Sequence, residues 1–305
     1  MKHLFIVNPT AGGRDKTSEV RAKVERAFQS RSDCYEVYVT KAPLDAVDKI
    51  RREAASGDEL RVYACGGDGT FNECVNGAAL LPNVAVCPFP TGTGNDFCRT
   101  FGAEQELFRD LEAVLDGGVH PIDLIDCNGR FSANICSVGI DARIGTSVHQ
   151  YTRFPLFKGP IGYVISAADN VIRGIARPMT IRCGERCLQG PQTLACACNG
   201  QYYGGGFHPS MTARPDDGIL DMFIVKDVNL LLFARLVGQY AAGKAAEMPK
   251  YVTHAQGTEM EIRFEKEDVV NIDGEALYTN HVTMKLIPGA LNLIVPHGMH
   301  FFEQP

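Results

Sequence analysis

Three short stretches of this 305-residue chain carry residues able to do phosphate chemistry. Residues 8–13 read NPTAGG, residues 66–73 read GGDGTFNE and residues 90–97 read PTGTGNDF, each following an apolar run. Glycine turns at strand ends let backbone N–H groups close on a phosphate, because no Cβ blocks the approach and a following helix start leaves donors unpaired. Gly12, Gly13, Gly66, Gly67, Gly69, Gly92 and Gly94 allow that approach, Thr91 and Thr93 offer hydroxyls, and Asn8 and Asn95 add polar side chains. A carboxylate repels a bare phosphate, so Asp68 and Asp96 need a reason to stand in these turns. Either a cation bridges them to the ligand, or they accept a proton, or they merely cap a helix. The first two readings mean Mg²⁺-nucleotide chemistry.

Two further acidic turns lie later. Residues 211–221 read MTARPDDGILD, and the crowding of Asp216, Asp217 and Asp221 suggests a hard cation with backbone carbonyls completing an oxygen shell. A plain Asp-Gly turn is the competing reading. Residues 271–275 read NIDGE, which sets Glu275 at a strand end, where a carboxylate is a natural base for an attacking hydroxyl. By itself such a turn is commonplace. The stretch NGQYYGGG at 199–206 is a glycine-rich loop of the kind that borders a cleft.

The elements that must position these residues are legible as periodicities. Residues 3–7, 60–65 and 84–87 are continuous apolar runs of the buried parallel-strand type, and 35–40 alternates as a further strand. Val20, Val24, Ala27 and Phe28 fall at helical spacing, as do Val47, Ile50 and Ala54 in a helix that Asp45 can cap and Gly57 can stop. A helix is expected after Asp68 through Leu81, and another over residues 104–115. The texture then changes to short strands at 122–127, 131–136, 179–183, 193–198, 220–225, 259–264, 269–272 and 282–287, with a hairpin at Asn128-Gly129 and a helix around 161–171. The pattern predicts an α/β domain followed by an antiparallel β-sandwich, with Cys196 and Cys198 both pointing into the sandwich core.

Composition narrows the function. Hydrophobic residues make up 45% and charged residues 22%, which is globular rather than disordered. A net charge of −6 and the absence of a Lys/Arg run argue against a nucleic-acid binder. Eleven cysteines with no CxxC pair and no secretory signal ahead of them fit reduced, mostly buried thiols in a cytoplasmic protein, and their spacing matches no zinc pattern. No apolar run approaches the length of a membrane span. Residues 142–183 carry Arg143, Arg153, Lys158, Arg173, Arg177 and Arg182 against Asp169 alone, a bias suited to anionic headgroups or to a solvated face. The apolar helix near residues 230–242 is a second element that suits a membrane surface.

Together with SVGIDA at 137–142, these motifs resemble the diacylglycerol kinase catalytic family, lipid kinases related to sphingosine and ceramide kinases. They occur in order from residue 8 to residue 275, nearly the whole chain. The GGDGT turn is shared with NAD kinases and phosphofructokinases; its combination with TGNDF and DDGxLD is specific. The resemblance implies a phosphofructokinase/NAD kinase-like nucleotide domain over 1–121 with a return at 291–305 that begins as a last strand at 291–295, a β-sandwich lipid-substrate domain over 122–290, and ATP bound between them. It implies that Asn8, Gly12, Gly13, Thr40, Gly66, Gly67, Gly69, Thr70, Gly92, Thr93 and Asn95 hold the nucleotide and that Asp68 and Asp96 stand near the phosphates and Mg²⁺. It further implies that Asp216 and Asp217 hold a structural metal and that Glu275 is the base. Sphingosine kinases put the base at the position of Asp68; the bacterial-type arrangement of this chain favours Glu275. The expected activity is ATP- and Mg²⁺-dependent phosphorylation of a lipid hydroxyl, met by peripheral association with a membrane, in an enzyme whose state is left open between monomer and homodimer. A soluble NAD kinase-like enzyme and a non-catalytic nucleotide-binding protein are the alternatives.

Overall fold

The computed structural model describes residues 1–92, 95–151 and 174–303, without the side chains of 146–151. Thr93, the helix expected at 161–171, and Arg153, Lys158 and Arg173 lie outside the described residues. The chain divides into two units, Met1–Leu124 with Ile287–Pro305, and Ile125–Leu286.

In the first unit β1 (Lys2–Val7), β2 (Cys34–Val39), β3 (Leu60–Gly66) and β4 (Val84–Pro90) form a parallel sheet in the order β2-β1-β3-β4. Helices α1 (Thr17–Ala27), α2 (Asp45–Ala54) and α3 (Asp68–Ala78) connect them. The apolar runs are buried along their length because both sheet faces are covered: Leu4, Phe5 and Ile6 in β1 and Val62 and Tyr63 in β3 have no exposed surface. On α1 the buried stripe is Val20, Val24 and Ala27, with Phe28 just beyond the helix. On α2 it is Ala46, Ile50 and Ala54, with Val47 half-buried beside it. Asp45 does not cap α2. Its carboxylate accepts the Lys41 N–H at 2.8 Å and the Tyr38 hydroxyl at 2.9 Å, closing the turn before the helix.

The helix expected over 104–115 is broken. A 3₁₀ stretch, Gly102–Arg109, precedes a short α5 (Leu111–Leu115), and a four-residue α4 (Asp96–Arg99) precedes both. Asp110 causes the break: its carboxylate takes the N–H groups of Glu112 and Ala113, at 3.0 and 3.3 Å, and so starts a new helix instead of continuing the old one.

The second unit is antiparallel. After β5 (Gly118–Cys127), which enters this unit at Ile125, and β6 (Arg130–Ser132) come β7 (Ile135–Gly139), α6 (Ile140–Tyr151), β8 (Arg177–Cys183), β9 (Arg186–Cys198), β10 (Leu220–Lys226), α7 (Leu230–Ala241), β11 (Val252–Gly257), β12 (Glu259–Ile272) and β13 (Glu275–Val295). The strand order is β11-β10-β9-β7-β12-β13, with β8 pairing both β9 and β12. Asn128 and Gly129 form the expected two-residue hairpin between β5 and β6, with φ of 52° and 84°. The strands expected at 259–264 and 269–272 are one strand, β12, whose register shifts between Arg263 and Asp268. Those expected at 282–287 and 291–295 belong to β13, which lies in the second unit to Leu286 and in the first from Ile287, where it pairs in parallel with β4.

Side chains alternate along β9. Ala195 and Ala197 face the core with Ile181, Met222, Ile262 and Met284, while Leu194, Cys196 and Cys198 face the layer that holds Tyr203, Phe223 and Tyr240. Cys196 and Cys198 thus share a face, but it is the face shared with Tyr240 of α7. All eleven thiols are unpaired and only Cys34 and Cys187 are exposed. Among the described residues no helix is long and apolar enough to cross a membrane.

Candidate active site

β1, β3 and β4 are neighbours, so the three glycine turns emerge side by side at the carboxyl edge of the parallel sheet, where open α/β sheets bind ligands. They touch. The Asn8 N–H donates to the Cys65 carbonyl at 3.3 Å, and the Thr91 N–H donates to the Gly66 carbonyl at 3.1 Å. Two glycines are required by the packing within and between these turns. A Cβ on Gly66 would lie 2.2 Å from Thr70 Oγ1, and one on Gly12, whose φ is 69°, would lie 3.1 Å from Gly92 Cα. Lys16 Nζ donates to the Thr91 carbonyl and ties the first turn to the third.

Asp68 closes the arrangement. Its Oδ2 accepts the Asn95 N–H at 2.8 Å and its Oδ1 accepts the Asp96 N–H at 2.7 Å. Gly67 is the N-cap of Asp68's own helix, α3, so the carboxylate caps the start of α4 instead. This contact holds Asn95 in a left-handed conformation, φ 65°, and fixes Asp96, which is buried and ion-paired with Arg99 at 3.2 Å.

A pocket of about 250 Å³ opens beside these turns, lined by Asn8, Thr10, Thr40, Lys41, Thr70 and Glu73 among others. Asn8 Oδ1 accepts both the Thr10 N–H and hydroxyl, at 3.0 and 2.8 Å, and Asn8 Nδ2 donates to Thr70 Oγ1 at 3.3 Å. Thr40, at the end of β2, is brought there by its N–H bond to the Val7 carbonyl, 3.0 Å. Gly13 and the exposed Gly69 flank the same turns. Lys41 and Glu73 were not expected from sequence. Glu73 follows the GGDGT turn by one helical turn, and that spacing was the available signal.

The second unit holds an apolar pocket of about 230 Å³ whose walls include Ile140, Ile144, Phe207, Phe233, Leu236 and Val237. Asp141 also lines it, with both carboxylate oxygens buried and, among the described residues, neither making a well-formed hydrogen bond. Burial pushes its pKa up to about 6 despite the nearby Ser137 and Tyr203 hydroxyls. The signal for Asp141 was a lone acid in the apolar stretch SVGIDARIG. Asn271, at the base of the hairpin that bears Glu275, lines the same pocket, and Glu275 itself is exposed.

Both acidic sets already have protein partners. Asp68 and Asp96 suit an ion that arrives with phosphates and keeps several waters, since such an ion needs only one or two carboxylates. In the 211–221 turn the carboxylates likewise have protein partners. Arg214 grips Asp216 through Nε and Nη2 at 3.1 and 3.3 Å, and Asp217 Oδ1 accepts the Ile219 N–H at 2.9 Å. Asp221 is buried, which disfavours its charge, but hydrogen bonds from Ser210, His254, Gln256 and Thr212 outweigh this and hold its pKa below the usual carboxylate range. Charge in this turn is balanced by an arginine and hydroxyl donors. Arg143, one of the basic residues whose bias suited headgroups or a solvated face, is buried, donating to the Gly139 and Ile175 carbonyls at 3.3 and 2.6 Å.

Comparison with known proteins agrees with this architecture. The profile of the diacylglycerol kinase catalytic domain matches residues 2–127, and that of the YegS C-terminal NAD kinase beta sandwich-like domain matches residues 134–295. The "Probable lipid kinase YegS-like" of Chromohalobacter salexigens is 30% identical over 82% of this chain and 80% of its own. The "Diacylglycerol kinase" of Bacillus subtilis is 26% identical over 89% of this chain and 88% of its own. A Bacillus anthracis crystal structure named "putative diacylglycerol kinase" superposes with a TM-score of 0.76 at 28% identity, covering 98% of both chains. The chain therefore belongs to the diacylglycerol kinase catalytic family, as a lipid kinase with an α/β nucleotide-type domain and a β-sandwich domain.

Proposed function

We propose that the enzyme transfers the γ-phosphoryl group of ATP to the hydroxyl of a lipid alcohol, diacylglycerol or a close relative, at a membrane surface. The observation that carries this reading is the apolar pocket of the second unit, whose wall includes one buried carboxylate, Asp141, without a well-formed hydrogen bond among the described residues. An apolar pocket of this kind suits an acyl chain, and a buried carboxylate on its wall suits a polar group of the lipid. The nucleotide is assigned to the turns of the first unit, with Asn8, Thr40 and Thr70 on the pocket wall and the N–H groups around Gly12, Gly66 and Gly92 toward the phosphates. Mg²⁺, carried in with ATP, would neutralise phosphate charge beside Asp68 and Asp96.

In the reaction the acceptor oxygen forms a bond to the γ-phosphorus, the bond to the β–γ bridging oxygen breaks, ADP leaves and the acceptor proton passes to Glu275. The residues between 1 and 124 and from 287 onward would form the nucleotide domain and those from 125 to 286 the acceptor domain. A phosphotransfer screen with liposome-presented diacylglycerol, sphingoid bases, phosphatidylglycerol, isoprenoid alcohols and NAD⁺, each with ATP and GTP, tests the reading. Turnover confined to NAD⁺, or none on any lipid, would overturn it. Glu275→Gln is expected to retain ATP binding while turnover falls by about 10²-fold or more; unchanged turnover removes Glu275 from the role.

A further inference from the structure

We propose that Asp273 is the positioning residue for Glu275; the proposal rests on the reading of Glu275 as the base. Asp273 and Gly274 are the two loop residues between Ile272 and Glu275, which face each other across β12 and β13. Both have positive φ, 50° and 99°, the primed turn that matches strand twist and that Asp and Gly tolerate. Gly274 and Glu275 are exposed, and such a hairpin tip is ordinarily a mobile place to keep a catalytic group. This tip is tied down. The Asp273 carboxylate accepts the Ser132 hydroxyl at 2.6 Å, the Ile135 N–H at 2.9 Å and the Ala133 N–H at 3.0 Å, and the Asp273 N–H donates to the Ile135 carbonyl at 3.2 Å. From the preceding strand, Asn271 Oδ1 accepts the Gly274 N–H at 2.8 Å.

The segment that Asp273 grips is itself fixed. The Asn134 carbonyl accepts the N–H groups of Asn199 and Gly200, both at 2.9 Å, and the fully buried Asn199 side chain donates to the Ala133 carbonyl at 2.8 Å. The clamp therefore joins the hairpin to the start of the glycine-rich 199–206 loop. Among the described residues no hydrogen bond or ion pair engages the Glu275 carboxylate, so its direction is set through the backbone, which Asp273 holds. A base displaced by about 1 Å loses about 10²-fold in rate.

The test is a kinetic cycle on the full chain with Mg-ATP and diacylglycerol liposomes, using Asp273→Ala, Ser132→Ala, Glu275→Gln and the two double variants. Asp273→Ala is expected to lower kcat by about 10–100-fold with the KM for ATP within twofold, and Ser132→Ala, which removes one of the hydrogen bonds, by about 3–10-fold. On the Glu275→Gln background neither substitution lowers kcat further, because each acts only through the base. Asp273→Ala with kcat within twofold of the parent, or the same fold-loss in both backgrounds, overturns the proposal. If Asp273→Ala does not fold, Ser132→Ala decides by the same comparison: a loss in the parent alone supports the clamp, an equal loss in both rejects it. Full turnover by Glu275→Gln refutes the base itself, which separates that failure from the failure of the clamp.

Discussion

Asp141→Asn is the perturbation whose size follows most directly from the structure. A buried carboxyl with a folded pKa of about 6 binds its proton more tightly than the unfolded chain does, where about 3.9 is usual. The shift is upward, so the site is most favourable when neutral. Stability is lost as pH rises from about 4 through 6, and the whole penalty stands above that window. Two units correspond to about 3 kcal/mol at pH 8 and to about half of that at pH 5. Asparagine keeps the shape and removes the charge. The variant is expected to be more stable than the parent by up to about 3 kcal/mol at pH 8, a rise in Tm of about 6 °C, with the gain halved at pH 5. Urea and thermal unfolding followed by circular dichroism at both pH values measure it. The same variant should raise the KM for the lipid acceptor, the trade expected where a binding group is kept at a cost to the fold. Equal or lower stability of Asp141→Asn at pH 8 would refute the reading, because it would mean that the carboxylate is well hydrogen-bonded in the folded protein.

Three other expectations concern single contacts. Asp68→Ala removes the acceptor of two backbone N–H groups and should destabilise the first unit by about 2–4 kcal/mol while abolishing Mg²⁺-dependent turnover; full activity in a folded variant would sink the assignment. EDTA should leave the melting temperature within about 2 °C, since Arg214 rather than a cation balances Asp216, whereas Arg214→Ala should lower it; a large EDTA effect in the parent would restore a structural metal. His3, 2% exposed and bonded to the Tyr63 hydroxyl at 2.8 Å, has its pKa pulled down to about 4 by burial, so its contribution is complete above about pH 6.5 and lost as pH falls toward 4. His3→Phe should flatten that part of the stability–pH curve by at most about 3 kcal/mol, measured by urea midpoints at pH 4.5 and 7.5.

Much of the molecule is local and therefore legible in one dimension. The apolar runs at 3–7 and 60–65 announce buried parallel strands because both their faces are covered, and Asn128-Gly129 announces a hairpin because two positive φ values are needed there. The glycine turns at Gly12 and Gly66 are readable for the same reason: a missing Cβ is a statement about available space. What the sequence could not decide is which group each polar side chain meets. Asp68 reads equally as a cap, a metal group or a base, and only the pairing of β3 with β4 brings the Asn95 and Asp96 N–H groups onto it. Asp216 beside Asp217 reads as a cation site, and that Arg214 reaches Asp216 is visible only in the fold. Asp273 looks like an ordinary turn residue, yet it holds a segment about 140 positions earlier in the chain. Spacing along a chain encodes backbone geometry and the sidedness of helices and strands, so it determined the fold and the turns. The protonation of Asp141 and the partners of Asp68 and Asp273 depend on burial and on contacts between distant segments, and those exist only once the chain is packed.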